Sequence, residues 1–296
     1  EGIDLEATNG NRLLLRIDND ATYTPIQATT FYYDTAHGAE GGYYAAYSDV
    51  TQFIKNKNLT DGNHTATVAN ITANEGRQPG TGNYAGWTLV VIYAENGGGS
   101  KARNISVYNG YTVISSSSGT RSVKISGFKL PSSNTVTSQF SSFAGEGEHV
   151  YTPDRMFISK FSDLSSPQNM PGATDANNIF DAILANIDRD SENDNDVVNA
   201  NGIDIDSYDV SDIMTSYRDA DETIDTVYIG LNSGQDYITP SMMAFATELY
   251  RPSVCYDYTV QKNDYDITSD DRAIRTTGLG KLSVTLALQS LEGDLY

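Results

Sequence analysis

Residues 104–114 read NISVYNGYTVI and residues 121–128 read RSVKISGF, with the turn cluster SSSSG between them. In both runs β-branched and aromatic side chains recur at every second position, the period of a strand with one face packed and one face wet. Working outward, the same pattern returns at 28–34 (ATTFYYD), 64–72 (HTATVANIT), 225–231 (DTVYIGL), 254–262 (VCYDYTVQK) and 281–291 (KLSVTLALQSL). Clusters rich in glycine, asparagine and proline separate these runs, among them HGAEGG, RQPGTGN, NGGG and LPSSN. Many short strands punctuated by turns predict an all-β fold. At 296 residues the chain is too long for one immunoglobulin-like unit. A jelly-roll-like antiparallel β-sandwich with long connections, and one or two short helices in its loops, is the expected architecture.

One run is different. WTLVVIYAE, 87–95, is almost wholly apolar. It is predicted to be a central strand buried on both faces, with Trp87 as a core anchor and, alternatively, as a surface for stacking on a sugar. Two segments carry helical spacing. YSDVTQFIKN (47–56) places Val50, Phe53 and Ile54 on one face, behind Ser48 or Asp49 as a cap. TDANNIFDAILANID (174–188) places Ile179, Ile183, Leu184 and Ile187 on one face, behind Thr174 or Asp175.

The chain carries 39 Asp and Glu against 19 Lys and Arg, a formal net charge of −20. Such a field repels phosphates, so nucleic acid and anionic membrane surfaces are not expected partners. No run approaches the length of an apolar membrane span. The single cysteine, Cys255, cannot form an intramolecular disulfide.

The charge is densest in DRDSENDNDVVNANGIDIDSYDV, 188–210, where eight of twenty-three residues are acidic. An EF-hand requires acids at positions 1, 3 and 5, glycine at 6 and glutamate at 12. Counted from Asp188, positions 6 and 12 are Asn193 and Asn199; counted from Asp190 they are Asn195 and Asn201. Neither register fits. Asp188, Asp190, Glu192, Asp194 and Asp196 nevertheless alternate, as oxygens around a hard cation such as calcium would in an extended loop. The other reading is a solvated acidic loop. From Gly202 onward the pattern becomes a strand, with Ile203 and Ile205 on one face, Asp204 and Asp206 on a solvated face, and Asp209 or Ser211 capping a short turn. Glu146, Glu148 and His149 form a further polar group, read as a loop. Lys124 and Lys281 are the lysines in strand contexts available to an isopeptide cross-link.

An ordered series of segments resembles a known family. These are YYAAYSDVTQFI, HTATVANITA, YAGWTLVVIYAE, RNISVYNGYTVI, ISGF, NNIFDAI, NGIDIDSYDVSDIM, YITPSMMAFATELYRPSVCYDY and LSVTLALQSLEGDL. Together they are similar to the N-terminal β-sandwich module of very large bacterial cell-surface, adhesin-like proteins. Those proteins often also carry Ig-like and thrombospondin type 3-like acidic repeats. The resemblance runs from about Phe31 to Tyr296 and carries no active-site residues with it. It implies an extracellular, non-enzymatic, structural or adhesive role at the cell surface, beside neighbouring modules. It also implies that a second module begins after Tyr258, so that 1–258 forms the sandwich and 259–296 a final strand segment. That last strand would open the next module or exchange with a neighbouring subunit, building a fibre by strand addition.

Two other functions remain open from the residues alone. The tyrosine-rich 30–47 region, with Tyr43 and Tyr44, suits a carbohydrate-binding module for host or environmental glycans. A glycoside hydrolase needs two facing carboxylates, which any chain with 39 acids can supply. The three histidines lack zinc-binding spacing.

Overall fold

The computed structural model describes residues 11–34, 42–73, 83–94, 102–132, 134–145, 151–173, 175–182, 184, 200, 202–235, 237–250, 254–263, 265–266 and 282–290. The chain divides into two compact units, Glu1–Leu249 and Tyr250–Tyr296. In the first unit the elements are β1 (Arg12–Ile17), β2 (Thr24–Gln27), β3 (Thr30–Asp34), β4 (Tyr43–Tyr47), α1 (Thr51–Lys55), β5 (Ala66–Ala69), β6 (Arg103–Asn109), β7 (Arg121–Ser126), β8 (Ser138–Gly145), β9 (Asp154–Ser159), β10 (Gln168–Asn169), β11 (Ile203–Asp209), α2 (Ser211–Ala220), β12 (Thr226–Ser233) and β13 (Thr239–Glu248). The second unit holds β14 (Val254–Lys262), β15 (Tyr265–Asp266) and β16 (Leu282–Ser290), in the order β15-β14-β16.

The fold is an all-β antiparallel sandwich. One sheet has the order β10-β9-β12-β7 and the other β11-β8-β13-β6. From β6 to β9, and again from β11 to β13, the chain changes sheet at each step. Apart from the consecutive pair β9-β10, neighbours within a sheet are therefore joined through the opposite layer, as in a jelly roll. Alternate side chains of both sheets meet in one core. Ile125, Met156, Ile158, Ile229 and Leu231 come from one side; Phe140, Tyr208, Met243 and Phe245 come from the other. A separate sheet, β2-β1-β5, and the β3-β4 hairpin precede the sandwich in the chain.

β8 and β13 form the centre of their sheet, although SQFSSFAG and TPSMMAFATE have little β-propensity. Burial alternates along both, and Ser138 and Thr247 exchange a hydroxyl bond of 2.6 Å across the ladder. Pro240 is accommodated by a register shift between Pro240 and Met242.

Helix α2 lies where the sequence suggests only a capped turn. Its first turn is fixed by Asp209, whose carboxylate accepts from the Ser211 N–H at 2.9 Å. Met214 and Tyr217 enter the core, and the Tyr217 hydroxyl donates to the Ile158 carbonyl at 3.0 Å. Burial pushes that phenol up to about 12. α1 occupies only the end of the expected 47–56 helix, with Asp49 accepting from the Thr51 N–H at 2.8 Å.

The helix expected over 174–188 does not form across its described residues. Asp175 makes a turn by accepting from the Asn177 N–H at 2.8 Å. The backbone then joins β9, with Asp154 N–H donating to Asn177 and Ile179 N–H donating to Asp154. These tertiary bonds use the groups a helix would need, and the adjacent residues Ile179 and Phe180 are both buried.

The 87–95 run is also not a central strand. Its described residues, 87–94, pair with no sheet, and Trp87, Val91 and Tyr93 are 38%, 65% and 81% exposed. The core is instead built by strands such as β8, β12 and β13, whose apolar residues alternate with polar ones.

Candidate functional site

A groove of about 780 Å³ is formed by the β1-β2-β5 sheet, the β3-β4 hairpin, residues 83–92, and one end of β6, β8, β11 and β13. Its wall is aromatic: Tyr32, Tyr43, Tyr44, Tyr84, Trp87 and Tyr111 all line it. Asp49 is the one carboxylate among the described lining residues, joined by Arg12, Lys55 and His64 as cationic or titratable groups. In a chain of net charge −20 this surface is sparsely charged, and its two cations, Arg12 and Lys55, outnumber its one carboxylate.

Two glycines make the groove floor. A Cβ on Gly145 would overlap the Tyr84 ring and sit 2.8 Å from the Thr239 hydroxyl. A Cβ on Gly86 would fall 2.6 Å from Ile203 Cδ1. The space these glycines leave allows Tyr84 to cross the sheet end, where its hydroxyl and that of Thr239 are 3.0 Å apart. Tyr84 stacks on Tyr43 with centroids 5.6 Å apart. Tyr44 donates to the Thr72 carbonyl at 2.7 Å, and burial raises its pKa. The Tyr111 phenol is also raised, first by burial and then by the nearby Asp34.

The sugar-stacking surface read from Tyr43 and Tyr44 is thus altered. Tyr43 is only 9% exposed and Tyr44 is tied to the backbone, whereas Trp87 presents an exposed ring. Trp87 is a groove residue and not a core anchor. Tyr84 and Tyr111 were not singled out from the sequence. Their one signal is an aromatic residue beside glycine in a turn, as in GTGNYAG and NGYT.

Asp188, Asp190, Glu192, Asp194 and Asp196 lie outside the described residues, as do Glu146, Glu148 and His149. Among the described residues no group of three or more His, Cys, Asp or Glu converges as a metal site. The stem of the acidic stretch is described: Ala200 N–H donates to the Ala182 carbonyl at 2.6 Å, and Leu184 bridges to Ile205. β11 forms as predicted, but its acidic face is not solvated: Ile203 is buried, Ile205 is half-buried, and the two aspartates are buried more deeply than either. Asp204 and Asp206 are 0% and 1% exposed and face inward. The Tyr208 hydroxyl, also buried, donates to Asp206. Ile203 and Ile205 face the other way, with Ile203 covered by Gly86. Lys124 is exposed on β7.

The chain matches no protein-family model and no curated protein sequence. No helix among the described residues is long and apolar enough to cross a membrane.

Proposed function

We propose that the chain is a non-enzymatic, extracellular module of a bacterial cell-surface protein, structural or adhesive in role, that engages an uncharged partner through the aromatic groove. The observation that carries this reading is the contrast between a chain of 39 acids and a groove wall whose described residues include one, Asp49. Such a surface favours stacking and apolar contact over ion pairing. A carbohydrate ligand is the second reading, favoured by the exposed Trp87 ring. Binding of the full chain to a panel of neutral polysaccharides tests both. Trp87→Ala and Tyr84→Ala should each weaken any retained ligand at least about tenfold, the range expected when an aromatic anchor is lost. Retained binding in both variants would remove the groove from the mechanism. Turnover of any polysaccharide would replace the adhesive reading with that of a hydrolase.

The fibre-forming variant draws on β16, which sits at the edge of its three-stranded sheet. An edge strand offers unpaired backbone groups to a neighbouring subunit.

Calcium belongs to the same proposal. The two ends of the acidic stretch are held side by side near the buried Asp204 and Asp206. A cation bound by Asp188, Asp190, Glu192, Asp194 and Asp196 would stabilise the folded state by linkage. Calcium should then raise the unfolding midpoint, and Asp190→Asn combined with Asp194→Asn and Asp196→Asn should abolish the rise. An identical midpoint with calcium and with chelator would leave a solvated loop.

A further inference from the structure

His64 occupies the end of the loop that joins α1 to β5, and both of its ring nitrogens meet acceptors. Nδ1 lies 2.8 Å from Asp18 Oδ2, and Nε2 lies 2.7 Å from the Thr60 carbonyl. A neutral imidazole has one N–H, so one nitrogen would direct a lone pair at an oxygen. Only the imidazolium donates in both directions.

Asp18 is held just as closely. Its other carboxylate oxygen accepts from the Thr65 N–H at 2.7 Å, and its own N–H donates to the Thr65 carbonyl at 2.7 Å. Asp18 adopts a left-handed backbone, φ 49°, which these bonds maintain. The remaining tie between loop and turn is Lys57 to Asp20, at 2.5 Å.

We propose that protonated His64 is a pH-dependent clip that fastens the 56–65 loop to the β1-β2 turn. The loop supplies Leu59, His64 and Thr65 to the groove, so releasing the clip loosens one groove wall. The charged group that meets the imidazole is Asp18; the tied segments also carry Asp20 on the turn and Lys57 and Asp61 on the loop, and β5 carries none. The shifts agree with the geometry. The Thr60 carbonyl and the Asp18 carboxylate raise the His64 pKa above 6.5. The Thr65 N–H and then His64 lower that of Asp18 below 3.8. His64 therefore contributes its stabilisation fully below 6.5 and loses it as pH rises through the folded-state value. Both partners are charged between the two folded-state values. The clip is independent of what the groove binds.

Nitrogen-15 histidine spectra of the full chain, recorded across pH, report the protonation of each ring nitrogen directly. The expected result is a His64 midpoint above 6.5, with both nitrogens protonated below it, and a fall in that midpoint in Asp18→Asn. Amide exchange over residues 57–63, corrected for intrinsic rate, should accelerate at the same midpoint. That step should vanish in His64→Gln. A midpoint at or below 6.5, one unmoved by Asp18→Asn, or the same exchange profile in His64→Gln would each overturn the proposal.

Discussion

The ring of Tyr84 lies directly over the Cα of Gly145, in the space a side chain there would fill. This contact fixes residues 83–89 across the sheet end and gives the groove its floor. Gly145→Val should displace the ring, separate the Tyr84 and Thr239 hydroxyls, and cost about 1–3 kcal/mol by overpacking. Tyr84→Phe keeps the ring and removes one hydrogen bond, at about 1 kcal/mol. Chemical denaturation of the two variants should give that order. Equal costs would show that the ring does not depend on the glycine.

Asp206 is buried and accepts from the buried Tyr208 hydroxyl two residues along the same strand. Tyr208→Phe removes a donor to a carboxyl group and should cost about 1.5–3 kcal/mol. Asp206→Asn should be milder, because the amide retains an acceptor for the hydroxyl. Urea midpoints at constant slope would distinguish the two costs.

Arg218 is nearly buried on α2 while its neighbour Asp219 is exposed. Its guanidinium donates to the carbonyls of Pro131 at 2.9 Å and Asn134 at 2.6 Å, holding the entry to β8. Arg218→Met preserves the apolar stem and leaves two carbonyls without this donor, so about 2–3 kcal/mol should be lost. Arg218→Lys should recover only part of it, since an ammonium cannot reproduce the fork. Full rescue by lysine would reduce the role of Arg218 to its charge.

Asp49, Asp163 and Asp221 each cap a local turn through the residue two positions on: Thr51, Ser165 and Thr223. Hydrogen bonds from those residues hold all three carboxyls below the ordinary 3.8. A depressed carboxylate stabilises the fold above its unfolded-state value, and that contribution disappears as pH falls through the folded-state value. The unfolding midpoint should therefore drop on acidification below about pH 4, the unperturbed carboxylate range, and Asp221→Asn should flatten the drop. An acid profile unchanged in that variant would exclude the Asp221 cap as a contributor.

Several elements were legible along the chain. The alternation at 104–114, 121–128, 225–231 and 254–262 marks β6, β7, β12 and β14, because strands rich in β-branched residues announce their own period. β8 and β13 were not legible: serine, alanine and methionine carry little local preference, and these two strands exist because each ladder completes the other. The reverse error occurs at 87–94, where strong strand character is left without a strand. At the groove, tyrosine content was visible early, but which tyrosines are accessible depends on Gly86 and Gly145, far apart in the chain.

By itself the sequence determined the all-β class, the two-residue period of β11 and the acidity of the surface, since these follow from composition and local spacing. The tertiary structure alone decided which side of β11 is inside. Periodicity separates Ile203 and Ile205 from Asp204 and Asp206 but carries no sign. The sign was set when Tyr208 supplied a donor within the core and Gly86 packed over Ile203.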